Sequence, residues 1–166
     1  MSISNAWLMS KAQYFVDFFT IPLMIAAALY FGTFVFWLFL LGVLTWSFIE
    51  YTVHRFVFHR YFRSEHWLHH KDVEEYIGIQ SWKVGLTYAT LGTIAVLCNA
   101  ASLFVGFAFG YFCYISMHYY MHRPHTLPAK YLKIVRINHD LHHVAGIEKN
   151  FGVTSPLWDY IFRTKV

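Results

Sequence analysis

FFTIPLMIAAALYFGTFVFWLFLLGVLTWSFI, residues 18–49, contains no Asp, Glu, Lys, Arg or His. Residues 84–117 repeat the pattern. A bilayer core of about 30 Å takes about 20 apolar residues of helix. The first run, extended to its flanks, is long for one span and sufficient for two tight ones, with Gly32-Thr33 as the turn. The second, with Asn99-Ala100-Ala101-Ser102 near its middle, reads the same way. The expectation is an all-α integral membrane bundle of two hairpins, helices 13–31 and 33–53, then 84–99 and 102–121. One domain over 1–166 is expected, its short hairpins crossing the bilayer or dipping into it.

Composition agrees. Hydrophobic residues make up 57% of the chain and charged residues 13%, about half the share of a soluble domain. The net charge of +4 is spread without one continuous basic patch, so no nucleic-acid partner is expected. Both hairpin tips are uncharged, and all 13 Lys and Arg residues fall on the other side. The positive-inside rule makes that side cytoplasmic, and every histidine lies there too. The N-terminal apolar run continues into a second span, unlike a cleavable signal peptide. Cys98 and Cys113 lie in apolar stretches with no CxxC, which argues against a thiolate zinc site or an iron–sulfur cluster.

Ten of the eleven histidines form four clusters at the ends of the apolar runs. These are His54 and His59; His66, His69 and His70; His118 and His122; and His139, His142 and His143. The second and fourth share the pattern H-x-x-H-H. Positions i, i+3 and i+4 of a helix share a face, so each triple is expected to aim its imidazoles into one small volume. His54 and His59, five apart, would stand about 140° apart on a regular α-helix, so the helix should end or bulge there. Glu50, Asp140 and Asp159 are candidates to orient the rings from behind. His125 is expected to stand outside the set.

Grouped imidazoles commonly hold a transition metal, and ten suit two ions better than one. Imidazole supports iron, copper or zinc. Structural zinc needs four ligands. A metal transporter should carry ionisable residues within its spans, and the charge-free runs have none. A membrane haem protein needs facing axial histidines inside the bundle. Hydrolysis needs only a few ligands and a general base. Redox chemistry on a lipid fits best, the histidines acting as ligands with no separate catalytic acid or base. A non-catalytic membrane metal-binding protein is the alternative, though storage or sensing does not require ten converging ligands.

The order H54-x4-H59, H66-x2-H69-H70, H118-x3-H122, H139-x2-H142-H143 resembles the fatty acid hydroxylase/sterol desaturase superfamily. The tail NFGVTSPLWDYIFRT, Asn150 to Thr164, is similar to that family's closing signature, and the resemblance covers about residues 40–164. It implies a membrane oxidoreductase with two iron ions (zinc in an isolated sample being possible) and O2 as co-substrate. The activity implied is hydroxylation or desaturation of a fatty-acyl or sterol-type lipid. The ten boxed histidines would be the metal ligands. Electrons would come from an external donor, such as a cytochrome b5-like protein or a ferredoxin. Only six residues separate His59 from His66, and no fused cytochrome b5-like domain is expected. That spacing is similar to bacterial-type β-carotene hydroxylases, making carotenoid ring hydroxylation an alternative. The Leu157-Trp158-Asp159 ending favours the fatty acid side. Arg163 stands where the family often has Gly.

Overall fold

The computed structural model describes residues 7–123, 125–126, 132–144 and 148–166. The described residues are helical, apart from connecting segments and an isolated bridge between Leu8 and Ile77. Helix α1 is Lys11–Phe31, α2 is Phe36–Thr52 and α3 is Arg63–Lys71. Helix α4 is Ser81–Leu97, α5 is Ala101–Met121, α6 is Lys133–His142 and α7 is Leu157–Ile161. They fall into two compact units, one of residues 7–46 and 76–113, the other of 47–75 and the described part of 114–166.

The first unit holds α1, α4 and most of α2 and α5. Ser10 starts α1 with a capping box: its hydroxyl accepts from the Gln13 amide, and the Gln13 side chain accepts from the Ser10 amide. This satisfies two donors that a helix start leaves free. At the first hairpin tip, Ser102 accepts from the Val35 amide at 2.7 Å and donates to the Thr33 carbonyl at 2.8 Å. The turn therefore runs over residues 32–35, and α2 starts three residues later than expected. Helix α4 ends through Asn99, whose φ of 57° is left-handed. The Ala100 amide reaches back to the Ala95 carbonyl and the Asn99 amide to Val96, so the last carbonyls are satisfied as in a Schellman end.

Helices α2 and α5 meet at Gly42 and Gly106. A Cβ on Gly106 would run into the Phe39 carbonyl, and one on Gly42 into the Leu103 carbonyl. Small residues that let backbones touch are the usual means of packing helices where lipid removes the hydrophobic drive. Among the described residues, three helices are long and apolar enough to cross a membrane: Lys11–Phe31, Phe36–Phe58 and Ala101–Met121. Helix α4, with 17 residues, measures about 25 Å at ~1.5 Å per residue. Large apolar side chains such as Phe19, Leu23, Trp37, Leu86 and Leu97 are exposed, as lipid-facing residues are. The chain is a membrane protein with an all-helical fold.

One expectation needs correcting. The charge-free runs suggested spans without ionisable groups, but Asp17 lies inside α1, one residue ahead of the first run, and is buried. It is held there because Tyr111 of α5 donates to its Oδ2 at 2.8 Å.

Candidate metal centre

The second unit gathers all ten clustered histidines into two groups of five. The first is His54, His59, His66, His70 and His142; the second is His69, His118, His122, His139 and His143. Within each group the available ligand nitrogens lie within 4.8 Å of one another. His125 belongs to neither group.

His54 and His59 meet because the chain leaves the α-helix between them. Residues Val53–Phe58 form a π-helical turn, and the His59 amide bonds the His54 carbonyl five residues back at 3.3 Å. That bond lengthens the turn enough to bring positions five apart onto one face, and the two rings stand 5.3 Å apart. The bulge expected from their spacing is this turn. His118 and His122 need no such device, since four residues on regular α5 already share a face.

The triples are divided, contrary to the expectation that each fills one volume. His66 and His70 go to the first group while His69 goes to the second. His139 and His143 go to the second while His142 goes to the first. Neighbouring helix residues differ by about 100°, so the adjacent histidines in each H-x-x-H-H face different ways. Each group thus takes a pair from the end of α2 or α5, an i, i+4 pair from α3 or α6, and one ring from the other short helix. The two halves of the chain build equivalent sites and exchange one ligand each.

All ten rings turn Nε2 inward. In the first group Nε2–Nε2 separations are 3.0 Å for His54 with His66, 3.0 Å for His70 with His66 and 3.2 Å for His59 with His142. In the second they are 3.2 Å from His122 to His69 and to His118, 3.1 Å from His139 to His122 and 3.0 Å from His143 to His139. His54 donates its Nδ1–H to the Phe151 carbonyl at 2.6 Å, and His142 to the Lys149 carbonyl at 2.8 Å. A carbonyl only accepts, so both rings present a bare Nε2.

Burial, reinforced by neighbouring imidazoles, pulls His66, His69, His139 and His143 far below the ordinary histidine range. The same causes bring His70 to about 3. Burial together with the charge of Arg123 brings His122 to about 4, and burial with His142 and Arg63 brings His59 to about 4. Neutral imidazoles with lone pairs facing each other repel unless a cation lies between them. Two nitrogens bound at right angles to one ion at ~2.1 Å stand about 3.0 Å apart, and at a tetrahedral angle about 3.4 Å. The shortest separations, 3.0 to 3.2 Å, lie at or between these values. With five nitrogens in each group, the donor set fits a transition metal with more than four ligands.

The acidic candidates act on the backbone rather than on the rings. Glu50 Oε1 accepts from the amides of Val153 and Thr154 at 2.7 and 2.9 Å, and Oε2 accepts from the Thr154 hydroxyl at 2.6 Å. Asp159 accepts from the amides of Phe151 and Gly152, both at 2.8 Å, and from the Thr164 hydroxyl at 2.7 Å. Together they fix the segment whose Phe151 carbonyl holds His54. Asp140 is exposed and pairs with Arg136 at 3.4 Å. Carbonyls perform the ring-orienting role expected of carboxylates, and Phe151 and Lys149 carry no side-chain signal for it. Gly152 permits the arrangement, because a Cβ there would strike the Ser155 carbonyl and Asp159.

A family model described as fatty acid hydroxylase matches residues 39–164. The fatty acid 2-hydroxylase of Homo sapiens is 32% identical over 144 residues, covering 76% of this chain and 39% of the relative. The dihydroceramide fatty acyl 2-hydroxylase of Arabidopsis thaliana is 33% identical over 146 residues, covering 74% of this chain and 58% of the relative. The chain thus spans between about two-fifths and three-fifths of these relatives' length. A solved structure of full-length Scs7p, in which only the hydroxylase domain is visible, shares the fold with a TM-score of 0.71 at 23% identity. That match covers 100% of this chain and 70% of the other.

Proposed function

This chain belongs to the fatty acid hydroxylase family, and from that premise we propose that it is a membrane-bound di-iron oxidoreductase that hydroxylates the acyl chain of a lipid with O2. The observation that carries the proposal is the convergence of ten neutral imidazoles into two groups with separations near 3 Å. Those ten histidines are the proposed ligands. Five nitrogen donors in each group favour iron over four-coordinate zinc. Bound iron would supply the activation of O2, with the overall balance R–H + O2 + 2 electrons + 2 protons giving R–OH + H2O.

The protein's own part is positional. Phe151 and Lys149 fix the tautomers of His54 and His142, Glu50 and Asp159 hold the segment that carries Phe151, and burial keeps the rings unprotonated. An external donor, a cytochrome b5-like protein or a ferredoxin, supplies the electrons. The excess of Lys and Arg on the histidine side of the sequence supports a cytoplasmic centre. The relatives reported above are named for fatty-acyl substrates, which favours an acyl chain over a carotenoid ring.

The test compares total lipids, by mass spectrometry, from cells expressing the wild type, His142→Ala or no protein. The expected result is a species heavier by one oxygen that appears only with the wild type. Normal product from His142→Ala would reject the ligand assignment, and an unchanged lipid profile with iron-loaded wild type would reject the activity.

A further inference from the structure

Beside the first histidine group a cleft of about 450 Å³ is lined by Arg55, Phe56, His59, Arg60, Arg63, Glu148 and Phe151. It shares His59, Arg63 and Glu148 with a smaller cavity of about 160 Å³ that His66, His70 and His142 also line. Three arginines therefore line a cleft that adjoins one proposed metal site. Among the described residues none of the three pairs with a carboxylate, and the ion pair found there joins Arg136 to Asp140 on α6. Glu148 lines the cleft without bonding any of them.

The arrangement is built rather than incidental. Arg55 donates Nη1–H to the Tyr51 hydroxyl at 2.8 Å. Its Cζ stands 4.9 Å from the Phe56 ring centre and 5.7 Å from that of Phe151. Arg60 lies over the same Phe56 ring at 5.8 Å. One aromatic ring thus holds two like charges close together. Arg63 lines both the cleft and the smaller cavity together with His59. Three clustered cations outnumber the single carboxylate, Glu148, that lines the cleft with them, and an anion placed among them relieves the remaining repulsion. The planar, multi-donor guanidinium matches carboxylate and phosphate oxygens in two-point fashion. Phe56, which lines the cleft with Phe151, is exposed, giving the charged cleft the apolar border that suits an amphiphile at a membrane interface.

We propose that Arg55, Arg60 and Arg63 form a binding site for the anionic head, carboxylate or phosphate, of a single-chain lipid substrate. The site deepens the proposed lipid hydroxylase activity and rests on it for the word substrate, though not for the binding. Because the cleft and the histidine-lined cavity share residues, the head is held close to His59, and oxidation is directed to carbons near the polar end of the chain.

The test measures binding to the full chain in a neutral detergent, without iron or reductant, by isothermal titration. The probes are palmitate, 1-palmitoyl lysophosphatidic acid, neutral monopalmitoylglycerol and inorganic phosphate. At least one of the two anionic lipids is expected to bind ten-fold or more tighter than monopalmitoylglycerol and than phosphate, and whichever binds identifies the head. Arg60→Gln with Arg63→Gln should remove at least ten-fold of that affinity, while Lys83→Gln, outside the cleft, should leave it unchanged. Equal affinity for the neutral lipid, or no loss in the double variant, would overturn the proposal. Phosphate binding as tight as the lipids would overturn it in favour of a free-anion site. An inactive enzyme that still discriminates the anionic lipids would count against the hydroxylase reading and leave the cleft standing.

Discussion

Asp159 is completely buried and accepts three hydrogen bonds, from Phe151, Gly152 and Thr164. Hydrogen bonds to a charged acceptor contribute about 1.5–3 kcal/mol each, and removing the acceptor strands the buried donors. Asp159→Ala should therefore destabilise the chain by at least about 3 kcal/mol, with a lower melting temperature and reduced iron content. Asp140→Ala removes only an exposed i, i+4 pair and should change stability by less than about 0.5 kcal/mol. Equal effects of the two changes would contradict the roles assigned here. The sequence marked both residues as acids near histidines and had no means to separate them, because their difference lies in which distant amides fold onto each. Arg163 is the opposite case. It occupies a left-handed position with φ of 56° just after α7, where the Thr164 amide bonds the Asp159 carbonyl and the Arg163 amide bonds Tyr160. That is the helix ending at which glycine is favoured, which accounts for the glycine often found there in the family.

At the level of elements, the apolar runs and their turns were readable because charge exclusion over such a length has one physical meaning. The boundaries moved by a few residues, and Asp17 is accommodated inside α1 where Tyr111 of α5 donates to its carboxylate. The break between His54 and His59 was also legible, since a spacing of five cannot serve one face of an α-helix. The division of each H-x-x-H-H was not. Angular geometry places the adjacent histidines on different sides, but only the packing of α3 with α6 shows that two sites stand there to receive them. The contact of α2 with α5 was hidden as well, because a glycine in an apolar run does not announce which backbone it touches. Gly106→Val should cost at least about 2 kcal/mol through backbone overpacking, seen as a clear fall in melting temperature in detergent. Gly85→Ala, with nothing within 4 Å of the new Cβ, should leave it unchanged or raised. A tolerant Gly106→Val would show that the two helices are not packed as described.

Across the whole molecule, sequence order and spatial order differ in an informative way. Hairpin followed by histidines occurs twice along the chain, and each repeat supplies four imidazoles to one site and one to the other. Neither half can complete a five-nitrogen set alone, so the proposed metals link α3, α6 and the ends of α2 and α5 into one coordinated assembly. The most direct test is iron K-edge X-ray absorption, with metal quantification, on protein loaded anaerobically with ferrous iron. Two irons per chain, each with about five nitrogen neighbours near ~2.1 Å, are predicted. One iron per chain, or a four-coordinate or sulfur-containing shell, would contradict the two-site centre.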